Sequence, residues 1–127
     1  ILDLELAEHL PSCEADADLL ATAIENLVSN ALEALNGKGR VVLHTYVSEE
    51  DAPAVVISVE DDGAGMDARQ QERAFDEFFT TKATGSGLGL PFVKRVAEAH
   101  GGRVEVESRE GSGTRVRVYL PSVSVRP

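Results

Sequence analysis

Gly85, Gly87 and Gly89 stand at alternate positions just ahead of Pro91, a residue suited to the first turn of a helix. Backbone N–H groups bare of side chains at a helix start, with about half a positive charge from the helix dipole, make a cradle for phosphate. Glycines at this spacing also punctuate ordinary turns, so the cradle alone decides nothing. Lys82 is the one cation in the Phe78–Leu90 stretch, and as a flexible point charge it could reach terminal phosphates. Asp61 ends an apolar run and needs a donor to pair with if it is buried. The exocyclic amine of adenine is one such donor, and Gly63 and Gly65 would let a flat base approach the backbone; the same residues also suit a tight turn. Asn26 and Asn30, four apart, stack on one face of a helix, where amide oxygens can ligate Mg²⁺ or hold a water, or simply form a solvated face.

The remaining reactive side chains offer less. His9, His44 and His100 have no partners at metal-ligand spacing, and His100, at the end of an expected helix, should interact with the dipole or cap a carbonyl. No paired carboxylates, no Ser/His/Asp arrangement and no activated cysteine emerge. If the chain is an enzyme, it works by positioning a reactive nucleotide.

Composition narrows the class. A chain of 127 residues with 43% hydrophobic residues can bury one core. The net charge of −10 argues against nucleic-acid binding and against an anionic membrane surface, both of which need basic patches. Cys13 is the only cysteine, so no intrachain disulfide can form. No stretch has the length of a transmembrane helix or the layout of a signal peptide, and a cytoplasmic location is expected. The chain starts at Ile1 without methionine and ends in a loose 122–127 tail, so residues 1–121 are expected to be one domain of a longer protein.

The elements that must position these residues follow from periodicity. Leu2, Leu4 and Leu6 alternate as in a strand, and Ser12–Ala15 could pair back as a second one. Asp16 should cap a helix whose stripe is Leu20, Ile24, Leu27, Ala31 and Leu35, ended by Asn36-Gly37. Val41–Val47 predicts a strand, and in the next Val55, Ile57 and Val59 face one way while Val56, Ser58 and Glu60 face the other. A short polar helix is expected over Asp67–Phe75, a mobile lid over Phe78–Leu90 with Phe75, Phe78 and Phe79 as packing anchors, and a helix over Pro91–His100. Val104–Glu107 and Thr114–Leu120 predict an antiparallel hairpin with Arg115, Arg117 and Tyr119 outward. The order predicts a two-layer α/β sandwich, a mixed and mainly antiparallel sheet with helices on one face.

Taken together, the motifs closely resemble the ATP-binding catalytic domain of bacterial sensor histidine kinases, within the superfamily that includes gyrase and the large heat-shock chaperone ATPases. Asn26-Leu-Val-Ser-Asn30-Ala-Leu-Glu-Ala34 is similar to the family's N box, Asp61-Asp-Gly-Ala-Gly65 to its first glycine box and Phe75–Phe79 to its F box. Gly85-Ser-Gly-Leu88-Gly89 resembles the second glycine box, and Gly111-Ser-Gly-Thr114 the last glycine motif. The Phe-Phe-Thr-Thr-Lys82 run and His100-Gly-Gly102 are most like kinases related to nitrogen-regulation sensors.

The resemblance implies the Bergerat ATP-binding fold, with ATP and Mg²⁺ as ligands. It implies that Asn30 coordinates Mg²⁺ with Asn26 close by, that Asp61 accepts from the adenine amine, and that Gly63 and Gly65 shape the base pocket. Gly85, Gly87, Leu88 and Gly89 would form the lid and the phosphate-facing helix start, with Thr114 near Asp61. It further implies transfer of the γ-phosphoryl group to a histidine on a dimerisation domain absent from this chain, then to a response regulator. The isolated chain would be monomeric and the whole kinase a homodimer. Glu33 stands where many members carry a basic residue, which leaves Lys82 as the candidate for the terminal phosphates, and Glu77 stands where the F box usually has proline. A serine kinase of the anti-sigma type and a nucleotide-binding regulatory module share the fold and remain alternative readings.

Overall fold

In the computed structural model, the described residues are 2–5, 16–35, 37–49, 53–76 and 89–121. The expected strand at Ser12–Ala15 and most of the Phe78–Leu90 stretch, including Phe78, Phe79, Lys82, Gly85, Gly87 and Leu88, lie outside them, as does Glu77.

Among the described residues five strands form one sheet: β1 (Leu2–Glu5), β2 (Val41–Ser48), β3 (Ala54–Asp61), β4 (Arg103–Arg109) and β5 (Gly113–Pro121), in the order β1-β2-β3-β5-β4. β1 runs parallel to β2, and every other pair is antiparallel. The helices among the described residues are α1 (Ala17–Ala34), α2 (Ala68–Glu72) and α3 (Gly89–Ala99). The result is the expected sandwich, with α1 and α3 packed on one face of the sheet.

Local chemistry explains the boundaries. The Asp16 carboxylate accepts from the N–H groups of Asp18 and Leu19, each at 3.1 Å, and so starts α1. Asp67 and Gln70 form a reciprocal capping box that starts α2. α3 starts at Gly89, two residues ahead of the sequence expectation, which places Pro91 third in the helix. The first helical turn has no intrahelical acceptor for its N–H groups, so a proline is tolerated there as readily as at the first position. α3 ends in a Schellman turn: Gly101 N–H bonds to the Glu98 carbonyl at 3.0 Å and Gly102 N–H to that of Ala97 at 2.8 Å, with Gly101 at φ 78°.

The strand registers divide the sheet into two faces. Toward the helices the rungs run Thr45–Ile57–Val118–Val104, then Leu43–Val59–Val116–Val106. These side chains meet Ala23, Leu27 and Ala31 of α1 and Val93, Val96 and Ala97 of α3 to form the core. The opposite face carries Tyr46–Val56–Tyr119–Arg103, then His44–Ser58–Arg117–Glu105, then Val42–Glu60–Arg115–Glu107.

Tyr119, expected to face outward, is on that second face but buried, as are Val56 and Ser58. Val56 is fully enclosed because its register neighbours Tyr46 and Tyr119 flank it, and Tyr119 is itself covered by the Arg103 guanidinium, 3.9 Å from its ring centre. Burial, together with a hydrogen bond to Glu105, pushes the Tyr119 hydroxyl up to about 12. No helix among the described residues is long and apolar enough to cross a membrane.

Candidate functional site

The helix-facing rungs, apolar apart from Thr45, end in one that brings polar groups together: Val41, Asp61, Thr114 and Ser108 lie side by side across four strands. Asp61 is one of only two buried polar side chains among the described residues, at 7% exposure. Its Oδ1 accepts from the Gly63 N–H at 2.9 Å. Burial pushes its carboxyl above the ordinary 3.8; the N–H groups of Gly63 and Thr114 oppose that rise, and the charges of Asp62 and Glu60 add to it. A carboxylate held this way, at the edge of a core and with two backbone donors, is ready to accept a further hydrogen bond from a neutral amine.

The loop after β3 is fastened on both sides. On one side Asp62 Oδ1 accepts from the Arg40 N–H at 2.7 Å. On the other, Met66 N–H donates to the Ser108 hydroxyl at 2.8 Å and Gly111 N–H to the Ala64 carbonyl at 2.7 Å. Gln71 ties α2 to the same corner through the carbonyls of Met66 and Ser108, each at 3.0 Å. The Ser108 and Thr114 hydroxyls are 2.8 Å apart. Thr114 thus stands beside Asp61 in the rung and is held by Ser108.

The glycines of this corner answer to backbone contacts. A Cβ on Gly63 would run into the Ala34 carbonyl at the end of α1. Gly65, at φ 70°, lies against the Arg109 carbonyl, and Gly113, at φ 110°, against that of Asp61. Three segments therefore converge as backbone on backbone: the end of α1, the β3–α2 loop and the β4–β5 turn.

α1 brings the asparagines to the same corner. Asn30 precedes Ala34 by one helical turn and shares its face. Directly opposite Asn30 is the first residue of α3, since a Cβ on Gly89 would lie 2.7 Å from Asn30 Nδ2. Gly63 thus lies against Asp61 and the end of α1, and one turn back along α1 Asn30 faces Gly89. Asn26 lies one turn back along α1 and is half-buried. Phe75 is half-buried, with Lys94 Nζ 5.5 Å from its ring centre.

Ser108, Gln71 and the Ala34 carbonyl were not singled out from the sequence. Each acts through a partner remote in the chain, and neither a serine in a strand nor a glutamine in a short helix carries a local signal of that role. The expected helix over Asp67–Phe75 covers Gln71, but helical periodicity does not predict how far its side chain reaches.

This architecture has relatives. Residues 15–124 match the family described as histidine kinase-, DNA gyrase B-, and HSP90-like ATPase, and the chain belongs to that family. Among curated proteins it is 38% identical over 117 residues to the signal transduction histidine-protein kinase AtoS of Escherichia coli K12, covering 92% of this chain and 19% of AtoS. It is 42% identical over 114 residues to the sensor histidine kinase ZraS of Escherichia coli O157:H7, covering 90% of this chain and 24% of ZraS. The chain therefore spans a fifth to a quarter of the length of such relatives. Among solved structures, the nucleotide-free catalytic domain of the histidine kinase ThkA superposes with a TM-score of 0.81 at 30% identity, covering 95% of this chain and 78% of that one. Full-length ShkA in complex with AMPPNP gives 0.80 at 30% identity, covering 99% of this chain and 27% of ShkA. The chain is a catalytic ATP-binding domain of the sensor histidine kinase type.

Proposed function

We propose that this domain binds ATP with Mg²⁺ and transfers the γ-phosphoryl group to a histidine on a dimerisation domain of the same protein, for relay to a response regulator. The observation that carries this reading is the buried Asp61 beside Thr114 and Gly63, next to the end of α1, whose Asn30 faces Gly89 at the start of α3. An adenine amine would donate to Asp61, with Gly63, Gly65 and Thr114 framing the base. The phosphates would then run toward Asn30 and the α3 start, where the dipole favours negative charge. Gly85, Gly87 and Leu88, together with Gly89, would make the phosphate-facing lid, and Lys82 would reach the terminal phosphates in place of a cation at Glu33. ShkA's complex with AMPPNP supports nucleotide as the ligand class.

Among the described residues no three His, Cys, Asp or Glu side chains cluster as a metal site. That donor set suits an ion that arrives on the nucleotide and takes one amide oxygen, from Asn30, with phosphate and water completing its shell. Bound there, Mg²⁺ would neutralise charge on the phosphates. The chain's own part is to position and to exclude: Asp61 fixes the base, and α3 aligns the phosphates for an incoming acceptor. Asn26 is an amide and a poor base, which favours transfer over hydrolysis.

The test is to mix the domain with an isolated histidine-bearing dimerisation domain and γ-labelled ATP. Acid-labile, base-stable label on that partner is the expected outcome. An acid-stable phosphoester would instead mark a serine kinase, and no transfer despite ATP binding a regulatory module.

A further inference from the structure

The helix that opens at Gly89 is tied at its other end to the start of α1. The His100 ring spans the gap: its Nδ1 lies 2.7 Å from the Val96 carbonyl, and its Nε2 accepts from the Asp16 N–H at 2.9 Å. The two contacts define one tautomer, with the proton on Nδ1 and the lone pair on Nε2. One side chain thus adds a second donor to a carbonyl in the last turn of α3, which also accepts from the His100 N–H, and satisfies the N–H of the residue that caps α1.

From this we infer that His100 is a positioning residue for the nucleotide site, acting through α3; the inference rests on the functional reading above. α1 and α3 run antiparallel, with Asp16 beside His100 at one end and Asn30 beside Gly89 at the other. The two ends of α3 are about 16 Å apart at 1.5 Å per residue. Between them Val93, Val96 and Ala97 pack on Ala23, Leu27 and Ala31. These apolar contacts are non-directional, so they leave small adjustments of one helix along the other open. A directional bond at the far end removes that freedom. It sets where Gly89 stands against Asn30, and with it where the helix start meets phosphate.

The residues that follow fit this role. Gly101 makes the left-handed turn that closes α3, and Gly102 lies against the Tyr119 carbonyl with no room for a Cβ. The C-terminal end of α3 is therefore anchored to β5 by backbone contact and to α1 by His100.

The experiment compares His100→Leu, which cannot accept from the Asp16 N–H, with His100→Gln, which offers an acceptor at similar reach. Two readouts are taken: the Asn30 side-chain amide resonance without nucleotide, and the Kd for Mg·AMPPNP. His100→Leu is expected to shift the Asn30 resonance and weaken binding about tenfold, and His100→Gln to restore both toward wild type. A lowered unfolding midpoint with the Asn30 resonance and Kd unchanged would reduce His100 to a helix cap and overturn the inference. Should His100→Leu fail to fold, the ¹⁵N shifts of the wild-type imidazole decide: the Nδ1–H tautomer upholds the clasp, and the Nε2–H tautomer overturns it. A wild-type domain with no affinity for the nucleotide would refute the functional reading separately, because the Asn30 resonance is recorded without ligand.

Discussion

Gly89 and Asn30 face each other across the α1–α3 contact with no room for a methyl group between them, a Cβ on Gly89 falling 2.7 Å from Asn30 Nδ2. The first residue of one helix is thereby fitted to an amide on the other, at the point where the apolar core gives way to polar groups.

Gly89→Ala should therefore damage the site more than the fold. The obstructed atom ends a side chain that can change rotamer, so the displaced group is Asn30 and not the backbone. Stability is expected to change by less than about 1 kcal/mol, because better helix propensity offsets the crowding. Affinity for MgATP should fall about tenfold or more. Urea unfolding and calorimetry on the same preparation separate the two effects.

Glycines pressed on backbone should behave in the opposite way. Gly65 and Gly113 combine positive φ with a carbonyl where a Cβ would go, whereas Gly37, at φ 87°, has nothing within 4 Å of that position. Alanine at either of the first two should cost about 2 kcal/mol or more, and alanine at Gly37 about 1 kcal/mol. Equal losses at all three in urea unfolding would show that backbone strain alone governs these positions.

Much of this was legible from local pattern. The Asp16 cap, the α1 stripe and the inward set Val93, Val96 and Ala97 follow from side-chain spacing, and the structure has them as expected. The burial of Val56 was not legible, because Tyr46 and Tyr119 reach it only through the register of three strands. The Ser108 contacts with Met66 and Thr114 were hidden for the same reason, being made across the β3–α2 loop and the hairpin. His100 was expected to interact with the helix dipole or cap a carbonyl, and it does bond to a carbonyl; its second bond, to a residue 84 positions earlier, has no local signature.

Two titrations, one on each face of the sheet, report burial with the same sign. Tyr119, raised to about 12, keeps its proton better when folded, so its contribution is whole below pH 10 and is lost as pH rises from there through 12. Spectrophotometric titration should show one of the two tyrosines ionising near 12. Asp61 is likewise raised, from 3.8, mainly by burial. The stability of wild type relative to Asp61→Asn should therefore rise as pH falls through the elevated value toward 3.8. A difference that stays flat or shrinks on acidification would contradict the buried-charge account.

The ion pairs on the outer face should contribute little. Arg117 bonds to Glu107, which lowers the Glu107 carboxyl and raises the guanidinium, yet the Glu107 side chain is 59% exposed. Water and salt screen such a pair, so a double-mutant cycle with Arg117→Ala and Glu107→Ala should give a coupling below about 1 kcal/mol. Coupling well above that would mean the pair is desolvated by something that covers this face.

The most direct test of the central claim is calorimetric binding of MgATP to wild type and to Asp61→Asn. A buried carboxylate that accepts from the adenine amine predicts a loss of about 10- to 100-fold in affinity for the mutant, with its fold retained by circular dichroism. Unchanged affinity in a folded Asp61→Asn domain would contradict the account, because the base would then be held somewhere other than the polar end of the sheet.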